Sequence, residues 1–204
     1  MSKINPGLYS SEAQDWMTPP HLITALLDFE DETLFDLDPC CSRRNIPART
    51  HYLEQDVDGL TWSWVTREGR NLVFVNPPYG NVLKLWMEKC WKEFNKGCSV
   101  WALIPARTET RYQHDFGLTR AGFTVFLKGR LHFVRNGDSV PHIQQYLQLF
   151  EDEWEPPTTE EKEDGAAPFP TMLLYFGADW KEKAWRWQKR PPMEGTLMTA
   201  LEAQ

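Results

Sequence analysis

Hydrophobic and polar positions follow two spacings along the chain. Pro19 and Pro20 open a segment in which Leu22, Ile23, Leu26 and Leu27 recur at helical spacing. Proline is tolerated in a first helical turn, so a helix is predicted there. Short apolar runs at 34–38, 72–75, 100–104, 123–127 and 172–177 each predict a strand. Val82, Leu85, Trp86, Cys90 and Phe94 are spaced for a helix over 82–95, and a further helix is predicted over 110–121. Apolar strands separated by helices predict an α/β fold, a doubly wound, mostly parallel sheet with helices on both faces. The 204 residues suit a single domain spanning 1–204, and no internal repeat is visible.

Charge adds two features to this pattern. Residues 151–164 hold eight acids and one lysine, which is the whole formal charge of −7. Such a run cannot supply a core, so 137–170 is read as an inserted acidic, Pro-containing surface loop. Residues 178–204 are read as a basic, Trp-rich C-terminal tail: Lys181, Lys183, Arg186, Lys189 and Arg190 alternate with Trp180, Trp185 and Trp187. That pattern suits an amphipathic helix with a solvated face, or an arm that contacts a nucleic-acid backbone.

Composition excludes several classes. At 41% hydrophobic and 25% charged residues the chain is too apolar for a disordered protein. No apolar run approaches the roughly 18 residues of a membrane span. The first residues lack the apolar core of a signal peptide, so a cytoplasmic protein is expected. Cys40, Cys41, Cys90 and Cys98 form no C-x-x-C pair and have no histidine at zinc-ligand spacing; free thiols and no metal site are expected. The ten tryptophans suit core packing first and base stacking second.

In open α/β sheets, ligands bind beyond the carboxyl ends of the strands. Three polar clusters fall there: Asp36 to Pro39, Asn76 to Tyr79, and Pro105 to Arg107. Neither a G-x-x-x-x-G-K phosphate loop nor a G-x-G-x-x-G fingerprint is present. The turn Asn76-Pro77-Pro78-Tyr79 follows a buried strand. Its prolines stiffen the backbone and hold Asn76 out of the helical region. An amide oxygen, the Pro77 carbonyl and an aromatic ring are thereby presented together. Two acceptors and a stacking ring suit an amino-bearing base flipped out of a duplex.

This tetrad resembles the N-P-P-Y motif of amino-methyltransferases that use S-adenosylmethionine. With Trp16 to Pro20, Phe35 to Pro39, Asp58 to Leu60, Leu103 to Arg107 and Gly129 to Phe133 in the same order, the chain is similar to the phage-type DNA N-6-adenine methyltransferase family. The likeness covers roughly residues 10–135 and the strand at 172–177. It implies the methyltransferase version of the doubly wound sheet, S-adenosylmethionine as cofactor, double-stranded DNA as partner, and a setting of phage DNA or restriction-modification. Asn76, Pro77, Pro78 and Tyr79 match the catalytic tetrad. Asp38, with Pro39 and Cys40 in the turn after it, matches the cofactor pocket. Thr18 matches a segment beside the methionine part of the cofactor, and Asp58 the neighbourhood of its adenine. The turn after Asp38 lacks the glycines that let a cofactor approach the backbone. Asp36, Asp38, Glu54, Asp56 and Asp58 all stay eligible to hold the cofactor ribose.

The implied chemistry follows from the base. The adenine amino nitrogen is a poor nucleophile because its lone pair is delocalised into the ring. Acceptors out of the ring plane free that lone pair, without a covalent enzyme intermediate. The stretch 107–135 carries six cations against two acids, and Arg107, Arg111 and Arg130 are its candidate DNA contacts. Alternatives are methylation of RNA or of a protein amide, and a non-catalytic nucleic-acid-binding relative, which the glycine-poor turn would suit.

Overall fold

The computed structural model describes residues 16–42, 44–135 and 169–199. The acidic run at 151–164, nearly all of the expected insertion at 137–170, and residues 200–204 of the expected tail lie outside the described residues.

The first elements are β1 (Trp16–Met17), α1 (Pro20–Glu30), β2 (Phe35–Cys41) and β3 (Ala48–Leu53). They are followed by β4 (Asn71–Val75), α2 (Leu83–Phe94) and β5 (Cys98–Pro105). A π-helical turn, Gln113–Gly117, runs into the short helix α3 (Leu118–Arg120). The chain continues through β6 (Phe123–Leu127), β7 (Val134–Arg135), β8 (Thr171–Phe176), α4 (Trp180–Lys189) and β9 (Gly195–Thr199).

Seven strands form one sheet in the order β3-β2-β4-β5-β8-β6-β9. The neighbours β3/β2, β2/β4 and β4/β5 are parallel, whereas β5/β8, β8/β6 and β6/β9 are antiparallel. The sheet is therefore mixed, only partly parallel where the sequence pattern predicted a mostly parallel one. Apolar runs do not encode direction, and β8 enters between β5 and β6 against both.

Alternation along the strands builds two cores. Leu72 and Phe74 of β4, Trp101 and Leu103 of β5, and Leu173 and Tyr175 of β8 pack with Leu22, Ile23, Leu26 and Leu27 of α1 and with Ala184 and Trp187 of α4. The intervening residues, among them Val73, Val75, Val100, Ala102 and Leu174, pack with Leu83, Trp86, Met87 and Cys90 of α2. A period of two on the strands thus meets a helical stripe on each face. Residues 178–199, read from the sequence as a tail, supply α4 and the edge strand β9. Trp64, Trp86, Trp101 and Trp187 are buried in the cores, while Trp62 and Trp185 are exposed.

Glu30 and Glu93 are buried carboxylates with several partners each. Glu30 accepts from Trp101 Nε1 and from Lys183 Nζ, each at 2.7 Å, and pairs with Arg70. Glu93 accepts from Lys89 and Lys96, each at 2.7 Å, and from the Trp64 backbone N–H at 3.0 Å. Buried charges of this kind persist only when fully paired.

Only six residues separate β2 from β3, fewer than a crossover helix requires. The Phe35 N–H donates to the Pro47 carbonyl at 2.9 Å, and a His51 ring nitrogen lies 2.9 Å from the Ile46 carbonyl. These contacts hold the short return against the strands. They also bring the end of β3 beside the end of β2.

Candidate active site

The carboxyl ends of β2, β3 and β4 border one cleft, open to solvent. Thr18, Asp38, Pro39, Cys40, Asp58, Asn76, Pro77, Pro78 and Tyr79, all singled out in the sequence, line it together. Arg107, Arg111 and Arg130 do not; all three are exposed. Arg111 pairs with Asp115 at 3.8 Å.

The Asn76-Pro77-Pro78-Tyr79 turn leaves β4 with its side chains interlocked. The Tyr79 hydroxyl donates to Asn76 Oδ1 at 2.8 Å, and Asn76 Nδ2 donates to Thr18 Oγ1 at 3.2 Å. Burial pushes the Tyr79 hydroxyl well above its ordinary pKa, so it stays protonated as a donor. The rings of Phe169, just before β8, and Tyr79 meet edge to face at a centroid distance of 5.2 Å. Phe169 was not legible as a site residue, because 90 positions of chain separate it from Tyr79.

The acids divide by environment. Asp36 is an anchor: it pairs with Arg67 at 2.7 Å and Arg49 at 3.4 Å, and it accepts from the Leu72 N–H at 2.8 Å. It does not line the cleft, and neither does Asp56. Asp38 is 1% exposed, and burial raises its carboxyl from 3.8 to about 7, partly offset by the N–H of Cys40 at 3.1 Å. Glu54 lies just past β3 and lines the cleft; burial raises its pKa too. Asp58 commits one oxygen to its own turn, accepting from the Leu60 N–H at 2.9 Å. Burial, with the Asp38 charge second, lifts the Cys40 thiol well above its ordinary range. Cys41 is raised by burial as well. Neither is poised as a thiolate nucleophile.

A glycine from another segment packs against the turn after Asp38. Gly59, after β3, lies against the Pro39 backbone, and a Cβ there would fall 1.9 Å from the Pro39 oxygen. Trp64 Nε1 donates to the Gly59 carbonyl at 2.8 Å and secures the loop from below. A glycine-poor turn after β2 is thus accompanied by a glycine that packs onto it from the side.

Among the described residues, no group of three or more His, Cys, Asp or Glu side chains is placed to hold a metal ion. None of the described helices is long and apolar enough to cross a membrane.

A mixed seven-stranded sheet with a polar cleft at an Asn-Pro-Pro-Tyr turn is compatible with a methyltransferase fold. A model of the DNA N-6-adenine-methyltransferase (Dam) family matches residues 7–156, and the chain belongs to that family. Methylation of adenine N6 in DNA is the activity of this class. No curated protein sequence matches the chain.

Proposed function

We propose that the protein transfers the methyl group of S-adenosylmethionine to the N6 amino group of adenine at a defined site in double-stranded DNA. The carrying observation is that the Asn76–Tyr79 turn and the carboxylates Asp38, Glu54 and Asp58 share one cleft. Their chemistry fits the cofactor. Glu54 and Asp58 would accept from the ribose hydroxyls, and Asp38 would face the cationic amino-acid end. Met17, Ile46, Val57 and Trp86 offer apolar walls for the adenine. When bound, the cofactor supplies an electrophilic methyl group on a sulfonium.

The chain's own part is positioning and electrostatics. A target adenine would be flipped out of the duplex, with Tyr79 stacked on its ring. Asn76 Oδ1 and the Pro77 carbonyl would each accept one hydrogen of the amino group. That favours a more tetrahedral nitrogen and frees its lone pair. The spare proton leaves to water after transfer. Arg107, Arg111 and Arg130 would contact the DNA phosphates, which offsets the acidic total.

Assays with radiolabelled S-adenosylmethionine on duplex DNA, RNA and protein test the substrate class. Label in the adenine of duplex DNA is expected, and label confined to RNA or protein overturns the reading. Methylation-sensitive sequencing of DNA from expressing cells then reports the site. Asn76→Ala is expected to lower kcat by about 10²–10³ with cofactor affinity kept, since it removes a contact made mainly in the transition state. Arg130→Ala should weaken DNA binding at every sequence and reduce the salt slope by about one ion.

A further inference from the structure

Helix α4 has two faces of different chemistry. Ala184 and Trp187 turn inward and join the core, and Lys183 is buried beside them on Glu30 at 2.7 Å. Lys181, Glu182, Trp185, Gln188 and Lys189 are exposed. Lys181 and Lys189 stand four positions before and after Trp185, so the three share one helical stripe. Arg190 follows and is exposed too. We infer that this stripe is a second nucleic-acid surface, which holds an unpaired strand by stacking a base on Trp185 and seating phosphates on Lys181, Lys189 and Arg190.

Three observations carry the inference. Trp185 is 60% exposed, although the core beneath it is already filled by Trp187, which packs on Phe29, Trp101 and Phe123. A solvated helix face is ordinarily polar, and an indole on it is a flat platform for a base. The cations of α4 also divide by partner. Lys183 is spent on Glu30, and Arg186 on Asp31 at 3.0 Å. Lys189 and Arg190 face no carboxylate at ion-pair distance among the described residues. With Lys181 they leave this face positive against its one exposed acid, Glu182, in a chain whose total charge is −7.

The occupant follows from the pairing of ring and charge. Cations alone would suit any polyanion, a duplex backbone or an acidic polypeptide included. An exposed indole between cations adds a partner for a free base face, which only an unpaired strand offers. The place in the fold separates this surface from the cleft. Helix α4 sets out beyond Phe176, which pairs with Val100 toward the start of β5. The cleft lies at the opposite, carboxyl ends of the strands. Strand binding on α4 therefore does not depend on the methyl-transfer reading.

The test uses the full chain and a fluorescein-labelled oligothymidylate of about 15 nucleotides, which carries no adenine for the cleft. Anisotropy is titrated at several salt concentrations. Trp185→Ala is expected to weaken binding about 5- to 150-fold, the worth of one stacked base, and Trp185→Phe, which keeps a ring, to weaken it less. Lys189→Ala with Arg190→Ala reads the same surface without touching the ring. It is expected to lower the slope of log affinity against log salt by about 1.4, for two phosphate contacts on a single strand. Tyr79→Ala should bind the probe as the wild type does. A wild-type protein that does not bind the probe overturns the inference, and so does unchanged affinity in Trp185→Ala. A loss in Tyr79→Ala as large as that in Trp185→Ala also overturns it, by placing the strand in the cleft. Competition by oligoglutamate equal to that by unlabelled oligothymidylate overturns it in favour of an acidic polypeptide. If the probe binds through Trp185 while no substrate is methylated, this inference stands and the functional reading alone falls.

Discussion

Gly59 and Pro39 lie so close that a single methyl group at Gly59 would come within 1.9 Å of the Pro39 carbonyl oxygen. Backbone meets backbone there, so no side chain can swing aside to relieve the clash. Gly59→Ala is therefore expected to displace the turn after β2. We expect a loss of about 1–3 kcal/mol in urea unfolding and a weaker calorimetric affinity for S-adenosylmethionine. Unchanged stability and affinity would mean that the loop shifts at no cost.

The Tyr79 hydroxyl is engaged as well as its ring, the hydroxyl with Asn76 Oδ1 and the ring with Phe169. Tyr79→Phe removes one neutral hydrogen bond, so kcat should fall about two- to tenfold with KM for the cofactor held. Tyr79→Ala also removes the stacking face, worth roughly 1–3 kcal/mol per base, and should cost correspondingly more. Steady-state kinetics of the pair check this. Equal losses would assign the whole effect to the hydroxyl.

Asp38 links site chemistry to stability. Its carboxyl titrates near 7 in the fold because it is buried, against 3.8 when exposed. Between those values the folded state keeps a proton that the unfolded chain has lost. Stability from this group is therefore full below the lower value and falls as pH rises through that window, by on the order of 1.4 kcal/mol for each pH unit crossed. Asp38→Asn removes the penalty and should be the more stable protein at pH 8. It should also bind S-adenosylmethionine more weakly there, because the charge that would face its cationic end is gone. Melting curves and calorimetry at pH 5 and pH 8 test both halves.

Glu30 is expected to matter for the fold rather than the site. Its side chain is fully buried, and it is shared by Trp101, Lys183 and Arg70. Glu30→Ala leaves the buried Lys183 ammonium with Asp179 at 3.5 Å as its ion-pair partner and should cost about 3–5 kcal/mol in denaturant unfolding. Replacing Lys183 as well, as Glu30→Leu with Lys183→Met, should recover part of that loss, since the buried ammonium is then gone and Arg70 keeps Glu32 at 3.9 Å.

Elements with strong periodicity were legible in the sequence. The apolar runs became β2, β4, β5, β6 and β8, and the spaced leucines after Pro19 became α1, because burying those residues is the main gain on folding. The place of the Asn76-Pro77-Pro78-Tyr79 turn at the end of a buried strand was legible too, since proline geometry acts locally. The edge strands were not. Residues 48–53 read Ala-Arg-Thr-His-Tyr-Leu and have little to bury, and β9 is mostly exposed. They are strands because neighbouring backbones need partners.

Which of five acids faces the cleft emerged only on folding. Asp36 and Asp38 stand two positions apart, yet one is tied to Arg67 and the other is buried at the cleft wall. Folding alone brought Gly59 onto Pro39, Phe169 onto Tyr79 and Thr18 onto Asn76. Each of those pairs depends on where strands lie in the sheet, and strand order depends on the whole chain. The direction of β8 belongs to the same class. Apolar alternation reads identically along a strand and against it, so the mixed sheet could be known only once the chain had closed on itself.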